Sequence, residues 1–288
     1  MKNRSIQKST HGFCKAQFIF QKTNMPELPE VNTFKLYFDK TSLHQKIGAV
    51  HVQDDKIMRN MDGDNFIEKL TGRTFVSSYR RGKYLFGKLD DGNDVLFHFG
   101  MTGDFKYYED EMDQPRHERF AFHFANGFRL GFDCPRKFAR ILYLEDLDKY
   151  IAEINLGEDA LVISENNFLK KMEGRKTSIK GFLLNQKLLA GVGNLYADEI
   201  CFQTRIHPAS PVYALKPKQK KAIYATMQNI LTVAVDRAQY YKEKKTEDDF
   251  FQWRVEGQKA PKGKGLCQIE KIAGRTTYYF DIYQKLYQ

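Results

Sequence analysis

Hydrophobic positions change their period along the chain. After Pro29, which can open a helix, Val31, Phe34 and Phe38 recur at helical spacing. From about Ile47 to Leu144 short strand signals take over: Ile47, Val50 and Val52, then Phe75-Val76, then Tyr84-Leu85-Phe86 ahead of the turn Asp90-Asp91-Gly92-Asn93. Val95 to Phe99 and Phe105 to Tyr107 follow. Phe120, Phe122 and Phe124 then alternate strictly into Asn126-Gly127, a strong hairpin signal. Short strands joined by tight turns predict an antiparallel sandwich or barrel. Beyond about residue 150 the period becomes helical. Ile179, Phe182 and Leu183 predict a helix ending near Gly191, Leu195–Thr204 a second, and Pro217–Lys242 a longer third. Gln258–Gly265 is rich in Lys, Gly and Pro, and Gly274–Tyr283 suits a final hairpin.

The predicted fold class is therefore α+β: an antiparallel β-sandwich over residues 25–155, a helical unit over 156–250 and a β-hairpin over 251–288, with the seam near 150–165. Residues 1–24 stand apart. They hold five basic side chains and no acidic one, and their longest apolar run is Phe18-Ile19-Phe20, too short for the core of a secretory signal. An organelle-targeting peptide is one reading. A start codon placed too far upstream is the preferred one, so that the active protein begins after Met25.

Charge sharpens the picture. The net charge is +10, and residues 170–288 hold 22 basic against 11 acidic side chains. A basic C-terminal half suits a polyanion, although a solvated lysine-rich surface gives the same count. Cys14, Cys134, Cys201 and Cys267 are far apart with no CxxC, which disfavours a disulfide framework or a four-thiolate zinc site and makes a reducing cytosol the default. No run approaches the roughly 18 apolar residues that span a bilayer.

Five segments carry candidate chemistry. In Met25-Pro26-Glu27-Leu28-Pro29-Glu30-Val31, trimming of methionine leaves proline at the N-terminus. An N-terminal amine titrates near ~8, so about a third is neutral at pH ~7.5, against roughly one in a thousand for a lysine. Such an amine can condense with a sugar aldehyde carbon, with Glu27 beside it as general acid or base. Two prolines starting a helix is the plainer account. In Arg80-Arg81-Gly82-Lys83-Tyr84-Leu85, Lys83 lies between a tight turn and a strand, where it can clamp a phosphate or simply meet solvent. Met101, Arg136 and Phe138 are of types that fill the hole left by an extruded base, although ordinary core packing also suits Met101 and Phe138. Leu189-Ala190-Gly191-Val192-Gly193-Asn194 lies between two predicted helices, where helix-start amides and the Asn194 side chain can hold a phosphate, with Lys180 assisting. Arg275 follows Gly274 at a predicted hairpin tip and suits a phosphate.

Taken together and in this order, PELPEV beside the start and AGVGNLYADE resemble the formamidopyrimidine-DNA glycosylase / endonuclease VIII family, from Met25 to the C-terminus. The resemblance implies a bifunctional glycosylase and abasic-site lyase of base excision repair, with a helix–two-turns–helix domain and damaged double-stranded DNA in the cleft. By motif match Pro26 attacks C1′, Glu27 is the acid/base partner supported by Glu30, and β,δ-elimination follows. Lys83, Asn194 and Arg275 hold phosphates with Lys180 as a weaker carry-over, and Met101, Arg136 and Phe138 fill the vacated space. Family members often end in a four-cysteine zinc finger. Here Phe280 and Tyr283 stand where its second CxxC would be, which predicts a zincless finger held by Tyr278, Tyr279, Phe280 and Tyr283, and no cofactor. Phe250-Phe251-Gln252-Trp253 runs almost directly into the finger, so the loop that covers a flipped purine is shortened and oxidised pyrimidines or ring-opened purines stay open as substrates. A monomer acting in the cytoplasm, at the nucleoid if bacterial, completes the expectation. The competing readings are a catalytically silent DNA-binding relative with a blocked N-terminus, and a metal-dependent nuclease, for which no acidic or histidine cluster has ligand spacing.

Overall fold

A computed structural model of the chain describes residues 25–238, 253–260 and 265–288. The segment 1–24, the tail of the third predicted helix at 239–242, Phe250-Phe251-Gln252 and residues 261–264 lie outside the described residues.

Two four-stranded antiparallel sheets form the first half. One contains β1 (Ile47–Val52), β5 (Asp104–Tyr108), β6 (Glu118–Phe124) and β7 (Arg129–Asp133) in the order β1-β6-β7-β5. The other contains β2 (Phe75–Arg81), β3 (Tyr84–Leu89), β4 (Asp94–His98) and β8 (Arg140–Leu144) in the order β2-β3-β4-β8. The alternation of Phe120, Phe122 and Phe124 buries all three, and Gly127, at φ 88°, turns the chain into β7. Aromatic rings fill the space between the sheets. Phe122 lies 5.4 Å from Phe75 edge-on, and Phe120 stacks on Phe132 at 5.3 Å.

Helix α1 (Leu28–Ser42) belongs to both halves of the molecule. Its Phe34 and Phe38 enter the sandwich core, 4.2 Å from Phe99 and 4.9 Å from Phe75. Its first residue, Leu28, is instead buried in the second core with Phe182, Val192, Tyr196 and Ile200. After α2 (Gly63–Leu70) and α3 (Leu147–Glu153), that second core is built by α4 (Glu165–Met172), α5 (Ile179–Leu184), α6 (Asn194–Gln203) and α7 (Pro217–Ala238). Ser164 and Ser178 cap α4 and α5 by accepting from the amides of Asn167 and Gly181. Helix α5 ends at Leu184 rather than near Gly191. Leu189-Ala190 leave the helix as a short strand, β10, parallel to β9 (Glu158–Asp159).

The terminal hairpin pairs β11 (Cys267–Ile272) with β12 (Arg275–Phe280). Its tip is Ala273-Gly274, both at positive φ, so the hairpin begins earlier than the predicted Gly274–Tyr283. Phe280, Cys267 and Ala260 pack with Phe202 of α6, and Trp253, Tyr278 and Tyr283 close around them. Tyr279 turns the other way, edge-on to His207 at 4.2 Å. No helix among the described residues is long and apolar enough to cross a membrane.

The two halves are cross-linked at the β2–β3 turn. The Asp159 carboxylate accepts from Arg80 Nη1 at 2.5 Å, Arg80 Nη2 at 3.3 Å, and the Gly82 and Leu161 amides at 2.6 and 3.0 Å. Both side chains of this ion pair are only 7% exposed. Removing one partner of a buried pair strands the other, at a cost of about 3–5 kcal/mol. Asp159→Ala is therefore expected to lower the unfolding free energy by about that amount in urea titrations. A loss under about 1 kcal/mol would place this pair with ordinary surface bridges.

Candidate active site

The sharp entry into α1 puts Glu27 against the start of α6. Gly193 is the N-cap of α6 and has no side chain to cap with. The Glu27 carboxylate does so from the other domain: Oε2 accepts from the Gly193 amide at 2.5 Å and the Tyr196 amide at 3.4 Å, and Oε1 from the Leu195 amide at 2.8 Å. The positive end of the helix dipole favours that charge. The Leu28 amide donates to the Gly191 carbonyl at 3.2 Å, which closes the same contact through the backbone. Gly193 is needed for lack of bulk: a Cβ there would lie 2.3 Å from Glu27 Cδ and 2.5 Å from Lys83 Nζ.

Lys83 reaches this point from the two-residue turn between β2 and β3. Glu30 completes the group, accepting from the Glu27 amide at 2.9 Å and from the Tyr196 hydroxyl at 3.2 Å. Burial pushes the Glu27 carboxyl up, opposed by Lys83 and the three amides. Burial, and then the Glu27 charge, push the Glu30 carboxyl up to about 7. Burial draws the Lys83 ammonium down, against the pull of Glu27 and Glu30. Two carboxyls and an amine in a shielded pocket can exchange a proton near neutrality, next to the nitrogen of Pro26. In a chain that continues upstream that nitrogen is a tertiary amide with no basic lone pair. Freed, it is a secondary amine and a nucleophile.

Asn194 and Arg275 border the same pocket. Asn194 Nδ2 donates to the Thr276 carbonyl at 3.0 Å, while its buried Oδ1 has no partner. Arg275 is exposed on the hairpin, near enough to Lys83 for its charge to oppose protonation there. Pro26, Glu27, Glu30, Lys83, Asn194 and Arg275 thus form one group.

Met101, Arg136 and Phe138 form a second. The Arg136 amide donates to Thr102 Oγ1 at 3.4 Å, and the backbone at Gly100 passes so close to Phe138 that a Cβ would lie 2.4 Å from its carbonyl carbon. The Arg136 guanidinium sits 5.1 Å over the Phe138 ring, and that ring is 52% exposed. The reading of Phe138 as ordinary core therefore does not hold.

Two expectations are corrected. Lys180 is not a phosphate ligand but a fully buried cation, held by Asp198 Oδ1 at 2.6 Å, Thr277 Oγ1 at 2.7 Å and the Thr276 carbonyl at 3.3 Å. The amides at the start of α6, expected to face a phosphate, are taken by Glu27. The sequence reading also missed Tyr196, Asp159 and His98. His98 lies 5.0 Å from the Tyr84 ring, and burial, with Arg140 and Lys83 nearby, draws its imidazolium down to about 4. Tyr196 and Asp198 both stand in AGVGNLYADE, two positions apart and so on different faces of α6, and a hydroxyl and a carboxylate inside that motif were the available signal; Asp159 has none.

Comparison with known proteins agrees with this geometry. Residues 25–141 match the formamidopyrimidine-DNA glycosylase N-terminal domain, and residues 156–245 the formamidopyrimidine-DNA glycosylase H2TH domain. A formamidopyrimidine-DNA glycosylase of Aliivibrio fischeri is 33% identical over 213 residues, covering 73% of this chain and 77% of its own. One from Arabidopsis thaliana is 30% identical over 288 residues, covering 91% and 72%. The solved Lactococcus lactis protein in complex with FAPY-dG containing DNA is 25% identical, with a TM-score of 0.81, covering 90% of this chain and 100% of its own.

The carboxyl pair makes stability depend on pH. A Glu30 pKa of about 7, against 4.5 for the free side chain, means that the native chain binds the extra proton in that interval. Its contribution is full below about 4.5 and is lost as pH rises through about 7. Glu30→Gln is expected to flatten this slope. Urea midpoints of parent and variant at pH about 5 and about 7.5 read it, and parallel changes in both would remove Glu30 as the source.

Proposed function

The chain belongs to the formamidopyrimidine-DNA glycosylase family, and on that premise we propose which of its residues carry the reaction. It is a DNA glycosylase of base excision repair with abasic-site lyase activity, and damaged DNA is its partner. One observation carries the residue assignment: Glu27, next to Pro26, is seated on the first turn of α6 with Lys83 at the same glycine.

With its nitrogen free, Pro26 attacks C1′ of the damaged nucleotide. The bond from C1′ to the base breaks, and the base leaves with the electron pair and a proton. Glu27, shifted toward its protonated form by burial, is the group beside the nucleophile that supplies and regains protons, and Glu30, whose carboxylate accepts from the Glu27 amide, supports it. Opening of the sugar leaves an iminium. Loss of a C2′ proton then expels the 3′ phosphate, and a second elimination expels the 5′ phosphate. Lys83, Asn194 and Arg275 hold phosphates around the lesion. Asn194 exchanges the Thr276 carbonyl for the phosphate when it does so. Met101, Arg136 and Phe138 occupy the space of the extruded base, a role supported by the exposed Phe138 ring with a guanidinium on its face.

The finger works without zinc in this reading. Phe280 and Tyr283 lie 5.9 and 4.9 Å from the Phe202 ring and supply the cohesion that a metal would give. The protein acts in the cytoplasm, at the nucleoid in a bacterium, consistent with Cys134, Cys201 and Cys267 as buried free thiols.

A protein beginning at Pro26 is expected to be trapped covalently on abasic-site DNA by borohydride, and Pro26→Gly to weaken trapping. An untrapped Pro26-start chain rules the lyase assignment out, and mass spectrometry of the native N-terminus separates enzyme from blocked binding module. Prolonged dialysis against a chelator is expected to leave nicking unchanged; loss that zinc restores would overturn the metal-free finger.

A further inference from the structure

Lys180 lies outside the group around Glu27, yet it is among the most enclosed side chains of the molecule. A lysine is almost never fully buried unless paired, and its partners come from two other elements, Asp198 from α6 and Thr276 and Thr277 from β12. Asp198, on α6 one turn after Asn194, accepts from Lys180 at 2.6 Å, from Arg254 Nη2 at 3.0 Å and from the Tyr278 amide at 3.4 Å. Thr277, on β12, accepts from Lys180 and passes the bond on, its hydroxyl donating to the Arg275 carbonyl at 3.0 Å. The Thr276 carbonyl receives both Lys180 and Asn194. Arg254 closes the far side, 4.7 Å over the Tyr278 ring. A single ammonium therefore touches α5, α6 and the strand that begins with Arg275.

We propose that Lys180 and Asp198 are positioning residues for the reaction: a buried ionic junction that seats the hairpin on α6, so that Arg275 and Asn194 face the nucleic acid as one unit. The argument is geometric. Arg275 is exposed, and its own strand is a two-stranded ribbon, which is marginal by itself. What fixes Arg275 relative to the Gly191–Gly193 loop is the run Lys180–Thr277–Arg275 on one side and Asn194–Thr276 on the other. Aromatic packing of Phe280 and Tyr283 holds the far end of the strand, about five residues away, and leaves the near end to the junction. Removing the ammonium takes from Asp198 Oδ1 its partner, leaves Arg254 and the Tyr278 amide on Oδ2, and frees the Thr277 hydroxyl, so the hairpin loses register where Arg275 departs from it.

This rests on the reading of Arg275 as a phosphate ligand, and the test separates the two. The probe is a duplex carrying a tetrahydrofuran abasic-site analogue, which offers no leaving base, bound by the chain beginning at Pro26. Lys180→Met and the milder Thr277→Val, which keeps the Lys180–Asp198 pair, are compared with the parent by hydrogen exchange and by affinity. Both variants are expected to lose amide protection in Cys267–Phe280 while α7 keeps it. Lys180→Met is expected to bind about tenfold more weakly, the scale of one lost phosphate contact. Arg275→Ala is expected to cost about tenfold in the parent but under about twofold on the Lys180→Met background, the mark of coupled residues. Unchanged hairpin protection in both variants, or fully additive losses, would overturn the junction. If Arg275→Ala costs nothing in the parent, the phosphate role of Arg275 fails, and with it the proposed purpose of the junction; protection of the hairpin then still reports whether Lys180 seats it.

Discussion

The carboxylate of Glu27 on the first turn of α6 is the constraint from which the rest follows. A helix start leaves amides without partners, and Gly193 offers none of the side-chain oxygens that usually answer them. The missing cap comes from a residue 166 positions earlier, in the other half of the molecule. Local helix chemistry thereby becomes a long-range cross-link. It fixes where α1 begins, and α1 carries Phe34 and Phe38 into the sandwich while leaving Leu28 in the helical core. The residue next to the proposed nucleophile is thus held by the element that joins the two domains, and domain orientation and nucleophile position are one variable.

The two groups of site residues differ in a way that suits separate tasks. Around Glu27 the side chains are enclosed, and burial dominates their protonation: both carboxyls are drawn up and the lysine is drawn down. Enclosure favours proton transfer near neutral pH. Around Phe138 the arrangement is open, with Lys137 in the left-handed region at φ 55° and an apolar ring facing solvent. Placing Phe138 in solvent is unfavourable unless something apolar covers it in the working state, and a base stack is such a surface.

Much of this was legible beforehand, and the failures share a cause. Strict alternation at Phe120, Phe122 and Phe124, ending in Asn126-Gly127, identifies β6, its buried face and its turn, because period and turn chemistry are both local. PELPEV and AGVGNLYADE locate Glu27 and Gly193 but not their contact, since no local rule says that a carboxylate will cap a helix so far along the chain. Lys180 was misread because a lysine beside a glycine-rich loop has the same letters whether it faces a phosphate or an internal carboxylate. The hairpin was placed too late because Ala273, a residue with no turn preference, occupies a left-handed position at its tip. Asp159, which binds Arg80 and two amides, stands in no pattern at all.

Three ion groups stand where elements meet: Arg80 with Asp159 and Lys83 with Glu27 and Glu30 between the sandwich and the helical half, and Lys180 with Asp198 and Arg254 between α5, α6 and the hairpin. Apolar side chains of the same volume would often stabilise such positions as well or better. What ion groups add is intolerance of misplacement, since a charge shifted from its partners in a dry site is far costlier than a slipped methyl group. With Lys83, Asn194 and Arg275 in their proposed role, phosphate ligands from three elements need fixed separations, and greasy contacts between those elements permit sliding that paired charges do not. The distribution of charge is in this sense inverted. In the proposed reading the exposed lysines of the C-terminal half are suited to attract DNA, and the few enclosed charges to fix the geometry in which that attraction acts on one nucleotide.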